Sequence, residues 1–142
     1  VLYSWLDPYG IGYHNLLISP KYDGCYMCMN YADGRLVNNR ASFAEENQIF
    51  EKRLASCSSA FIPYNVTAPS SLANKAIEIY LQFMSGAFSI GNRLISMLGS
   101  GMRFEEEGFV YSDRYYSCLK DCQYLNVTLE KNLSCPECNG KY

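Results

Sequence analysis

Four of the seven cysteines in this 142-residue chain form two Cys-x-x-Cys pairs, Cys25/Cys28 and Cys135/Cys138, and Cys118 and Cys122 stand four apart. Three chemistries use such spacings. Two Cys-x-x-Cys knuckles supply the four thiolates of a tetrahedral structural zinc. In an oxidising compartment the same residues pair as disulfides, which stabilise chiefly by restricting the unfolded chain. A redox dithiol needs a helix N-terminus or a cation beside its first sulfur. Cys25-Tyr26-Met27-Cys28 reads as strand, and no helical segment follows Cys135-Pro136-Glu137-Cys138, so the redox option is the weakest.

Asparagines weight the choice between the other two. The only threonines, Thr67 and Thr128, each complete an Asn-Val-Thr triplet, at Asn65 and Asn126, and Asn132-Leu133-Ser134 is a third acceptor triplet for N-linked glycan. The expectation is a secreted or cell-surface glycoprotein carrying glycans at Asn65, Asn126 and Asn132. Its start at Val1, without a leader, reads as a mature or trimmed chain whose signal peptide is absent. Disulfides are then expected among Cys25, Cys28, Cys57, Cys118, Cys122, Cys135 and Cys138, with one thiol left over and neither metal nor cofactor. If Cys118 and Cys122 share a helix face, nested bridges Cys122–Cys135 and Cys118–Cys138 become attractive, with Cys57 reaching Cys25 or Cys28. A leftover cysteine either joins a second chain or stays buried.

Other chemistries lack their residues. His14 is the sole histidine, and no Gly-x-Ser-x-Gly elbow is present. Tyr13-His14-Asn15 reads as a structural or surface loop. The carboxylates Asp7, Asp23, Glu45, Glu46 and Glu105 to Glu107 are what any soluble domain offers, and an enzyme is not expected. A net charge of −2 without a Lys/Arg cluster argues against nucleic acid. The most apolar stretch, 77–102, is broken by Glu78, Gln82, Asn92 and Arg93 and does not span a bilayer. Contact is the remaining function class. Phe83, Met84, Phe88 and Ile90, set among small residues, are a candidate interface for a protein partner, a second copy or a membrane surface. Tyr9 and Tyr13, from a chain with 13 tyrosines, join them as recognition candidates.

The elements expected to position these residues form one α-rich α+β domain over residues 1–142, stapled by disulfides. Strand-like segments are 1–6, 16–18 and a hairpin of 25–31 with 35–37 turning at Asp33-Gly34. A capping box at Ser42 and Glu45 opens a helix over 42–59. Further helices are expected from Ser71, over 88–98 up to Gly99-Ser100-Gly101, and over 113–125. The leading functional expectation is an extracellular structural or recognition glycoprotein, self-assembling or bound to a protein partner. The alternative is a carrier of lipid or a small apolar ligand, its pocket between the helices at 42–59 and 71–98. A secreted enzyme ranks third.

Overall fold

The computed structural model describes residues 1–37, 39–53, 60–87 and 91–139. In chain order these form β1 (Leu2–Leu6), a 3-10 turn (Pro8–Gly10), β2 (Gly12–Leu17), a second 3-10 turn (Tyr26–Met29), β3 (Tyr31–Ala32), β4 (Arg35–Leu36), β5 (Lys52–Arg53) and β6 (Ala60–Phe61). There follow α1 (Ala68–Met84), β7 (Asn92–Leu98), α2 (Met102–Glu106), α3 (Asp113–Lys120), β8 (Tyr124–Leu129) and α4 (Pro136–Asn139).

An antiparallel sheet ordered β1-β2-β7-β8 is the frame. Asp7-Pro8-Tyr9-Gly10 reverses the chain between β1 and β2, with Tyr9 (φ 59°) and Gly10 (φ 71°) both left-handed. The neighbouring Gly99 has to be glycine, because a Cβ there would collide with the Gly10 carbonyl oxygen. Register sets what each face carries. Tyr3↔Leu16↔Leu94↔Val127 and Trp5↔His14↔Ser96↔Leu125 lie on one face, and Ser4↔Asn15↔Ile95↔Asn126 on the other. Helix α1 covers β1 and β2 on this second face, burying Ala68, Leu72 and Ile79. Helix α3 packs over β7 and β8. The main core is aromatic: Phe43 and Phe104, both buried, meet Tyr9, Phe50, Phe109, Tyr111 and Tyr115. Leu16, Met29, Ala41 and Leu94 form a second cluster with Trp5, Tyr26 and Leu129.

The α-rich expectation is overturned. Helix accounts for 31% and strand for 27%, with eight strands and four helices among the described residues. The expected helix over 42–59 is absent from its described part, residues 42–53; Cys57 and the rest of 54–59 lie outside the described residues. Ser42 does cap, but locally: its Oγ accepts from the Ala44 N–H at 3.1 Å. The backbone around it pairs outward instead, Glu45 N–H to the Val110 carbonyl at 2.9 Å and Ser112 N–H to the Phe43 carbonyl at 2.8 Å. Ile49, on the supposed buried face, is 82% exposed.

The helix expected over 88–98 is replaced, where described, by β7. A short apolar run has no periodicity that separates a buried helix from a central strand flanked on both sides. The expected 113–125 helix stops at Lys120, because Cys122 (φ 54°) and Gln123 (φ 65°) turn left-handed and lead into β8. Tyr26–Met29 form a 3-10 turn rather than strand, while Asp33 (φ 50°) and Gly34 (φ 76°) make the expected hairpin turn between β3 and β4. The helix from Ser71 is present one turn longer at its start, as α1. Of the two helices expected to wall a ligand pocket, the one over 42–59 is absent from its described part, and the one over 71–98 is present as α1 up to Met84.

Candidate metal centre

Two helical turns of similar build bring four cysteines together. Cys25 precedes the 3-10 turn and Cys28 follows one turn later, where residues three apart sit on the same side. Cys135 likewise precedes α4, whose first residue is Pro136, a residue suited to that position because its missing N–H has no intrahelical acceptor. Cys138 lies within that turn. The four Sγ atoms all lie within 4.8 Å of one another. Separations are 3.9 Å for Cys25–Cys28, 3.7 Å for Cys25–Cys135 and 3.4 Å for Cys28–Cys138. A tetrahedron of sulfurs at about 2.3 Å from zinc has an edge of about 3.8 Å. A disulfide needs about 2.05 Å. The observed spacings bracket the first value and far exceed the second.

Two backbone N–H groups point at the Cys28 sulfur. Cys25 N–H donates to Cys28 Sγ at 3.4 Å, and Asn132 N–H donates to the same atom at 3.5 Å. Burial pushes the Cys28 thiol up, but these N–H donors, with Cys138 and Cys135, outweigh it and hold Cys28 below the ordinary thiol range. Burial pushes Cys25 and Cys138 up. Cys28 and Cys135 are buried, and Cys25 and Cys138 are half-buried. Four thiolates would fill a zinc's coordination and leave no position for substrate, which is the arrangement of a structural site.

Two asparagines build the surroundings. Asn92, 1% exposed at the start of β7, accepts from Ser19 N–H at 2.7 Å. Its amide donates to the carbonyls of Asp23 at 3.1 Å and Gly24 at 3.0 Å, which shapes the loop delivering Cys25. Asn132 donates through Nδ2 to the carbonyls of Cys28 and Tyr31, while its Oδ1 accepts from Ser134 N–H at 2.9 Å.

The remaining sequence candidates scatter. Cys118 is buried in the aromatic core, where burial raises its thiol, and Cys122 is exposed. Cys135 and Cys138 therefore meet Cys25 and Cys28 rather than Cys118 and Cys122. Asn65 Oδ1 caps α1, accepting from Ala68 N–H at 2.7 Å and Thr67 Oγ1 at 2.8 Å. Asn126 and Thr128 hold Arg93 across the strand pair, at 2.8 and 2.9 Å. All three sequon asparagines thus have hydrogen-bonding roles in the fold. Of the candidate interface, Phe83 and Met84 are exposed at the end of α1, while Phe88 and Ile90 lie outside the described residues. Tyr9 is 5% exposed, its ring against Phe104 and Phe109, and Tyr13 is half-buried in β2.

His14 belongs to a relay that sequence reading did not find. It sits in β2, not in a loop, with Nε2 2.8 Å from Asp7 Oδ2 and Nδ1 2.9 Å from Ser96 Oγ. With Asp7 as carboxylate, Nε2 carries the proton. Arg114 Nη2 donates to Ser96 Oγ at 3.1 Å, so the chain of bonds ends on a cation. Burial pulls the Arg114 guanidinium below its usual value. Asp7 Oδ2 also accepts from Phe43 N–H at 2.7 Å. The distances are those of a Ser-His-Asp relay. His14 and Ser96 are nevertheless 0% exposed, leaving Oγ no surface at which to meet a substrate. This network joins β2, β7, α3 and the 41–43 segment; it is a core strut.

No protein-family model, curated protein or solved structure matches this chain.

Proposed function

We propose that this chain is a non-catalytic recognition domain whose C-terminal segment is pinned to its N-terminal third by a structural zinc on Cys25, Cys28, Cys135 and Cys138. The observation that carries the reading is the Sγ tetrad, with three of its six edges at 3.4 to 3.9 Å and all of them within 4.8 Å. Its two halves lie 110 residues apart in sequence, so a metal there closes nearly the whole chain. Metal affinity at such a site is folding free energy, on the order of 10 kcal/mol or more. A contact role is supported by α1, which leaves Ile77, Tyr80, Leu81 and Met84 exposed at helical spacing along one stripe.

A second reading rests on the same sulfurs. In an oxidising compartment Cys25 could bridge to Cys135 and Cys28 to Cys138, their sulfurs 3.7 and 3.4 Å apart, and the chain would be the extracellular glycoprotein its sequons suggest. Cobalt(II) substitution separates the two. A reduced chain refolded with cobalt should show the ligand-field bands of a tetrahedral tetrathiolate, at one metal per chain. A chain lacking four free thiols at this site, or one giving no cobalt spectrum, refutes the zinc reading.

A further inference from the structure

A cleft of about 540 Å³ opens beside the cysteine tetrad, between α3, the β7–β8 pair and the segment at 130–133. That volume is in the range of small-ligand pockets. Three cationic side chains line it, Arg40, Arg114 and Lys131, against one carboxylate, Glu130. Ion pairs among the described residues are Asp7–His14, Lys52–Glu107 and Lys75–Glu78, and none involves a cation of the cleft. Arg114 is half-buried and spends two N–H groups on neutral acceptors, the Ala41 carbonyl and Ser96 Oγ, both at 3.1 Å. Among the described residues, three of the five guanidinium N–H groups thus have no protein acceptor. Thr128 and Asn132 add neutral polar groups, and the apolar part of the lining includes Met29, Leu94 and Leu129, which continue the second hydrophobic cluster.

We propose that this cleft binds a small ligand with an anionic head, carboxylate or phosphate, on an apolar body. The head takes the fork of Arg114, with Arg40 and Lys131 closing over it, and the body lies along Leu94 and Leu129. Charge-assisted bonds to a guanidinium are the strong class and match both head groups. This inference goes beyond the zinc reading, because none of the three cations is a metal ligand.

Calorimetric titration of the zinc-loaded chain with octanoate, octyl phosphate, octanol and octylamine tests it. At least one anion should bind about tenfold or more tightly than octanol, and octylamine should bind no better than octanol. Whichever anion is preferred identifies the head. The double variant Arg40→Gln/Lys131→Gln, at two exposed positions, should lose about tenfold in anion affinity while keeping its zinc and its fold. Equal affinity for octanol and the anions, no binding of either anion, or an unaffected double variant would overturn the proposal. Zinc content, read separately by mass, tells such a failure from a failure of the metal reading.

Discussion

Replacing Asn92 should unseat Cys25 without touching a sulfur. The side chain is 1% exposed and connects β7 to the loop before the first knuckle. Asn92→Ala removes the bond from Ser19 N–H at 2.7 Å and those to the Asp23 and Gly24 carbonyls at 3.1 and 3.0 Å. Losing bonds worth roughly 1 kcal/mol each, and leaving the buried Ser19 N–H unpaired, should cost about 2–4 kcal/mol. Asn92→Asp is the sharper probe. It keeps an acceptor for Ser19 but turns a buried carboxylate oxygen toward a set of carbonyls, so it should cost more than alanine despite its closer shape. Urea unfolding of the zinc-loaded variants reads the stability. Competition with a chromophoric chelator reads zinc retention, which should fall by about tenfold or more, as for outer partners of metal ligands. A change under about 1 kcal/mol with unaltered zinc affinity, or an aspartate milder than alanine, would refute the assignment.

Asp7→Ala strands the Phe43 N–H and the His14 Nε2–H in the core and should destabilise by roughly 2–5 kcal/mol in the same unfolding assay. Asn132→Ala should weaken zinc about tenfold or more in chelator competition, and Asn132 should stay unmodified in secretory expression because both its amide hydrogens already meet carbonyls. Peptide mapping checks the latter; a glycan at Asn132 on zinc-loaded protein would contradict it. Cys122→Ser should leave stability within about 0.5 kcal/mol of wild type and the metal content at one zinc per chain, whereas Cys118→Ser places a hydroxyl against the aromatic core and should cost about 1–3 kcal/mol.

Local chemistry was legible in the sequence where one short segment decides the outcome. The Asp33-Gly34 turn and the body of α1 are such cases. Segments decided by distant partners were not. Residues 42–53 carry good helical signals, yet Asp7, Val110 and Ser112 claim their backbone groups, and nothing local announces that. The run at 92–98 is apolar because β2 and β8 flank it, and its length suits a helix turn as well as a strand. The sulfur tetrad was visible as two Cys-x-x-Cys pairs, but which cysteines meet depends on β8 returning the chain to the first knuckle. Triplets such as Asn-Val-Thr read the same whether the asparagine accepts a sugar, caps a helix as Asn65 does, or grips an arginine as Asn126 does. Asn92, Ser96 and Arg114 are single polar residues whose roles exist only across the sheet.

Native mass spectrometry of the chain purified under reducing conditions from zinc-replete cells tests the central claim most directly. The expected mass is that of the polypeptide plus one zinc less the displaced thiol protons, with the metal lost and the chain unfolding on strong chelation. A metal-free folded chain, two hydrogens lighter for each bridge among Cys25, Cys28, Cys135 and Cys138, would contradict the account.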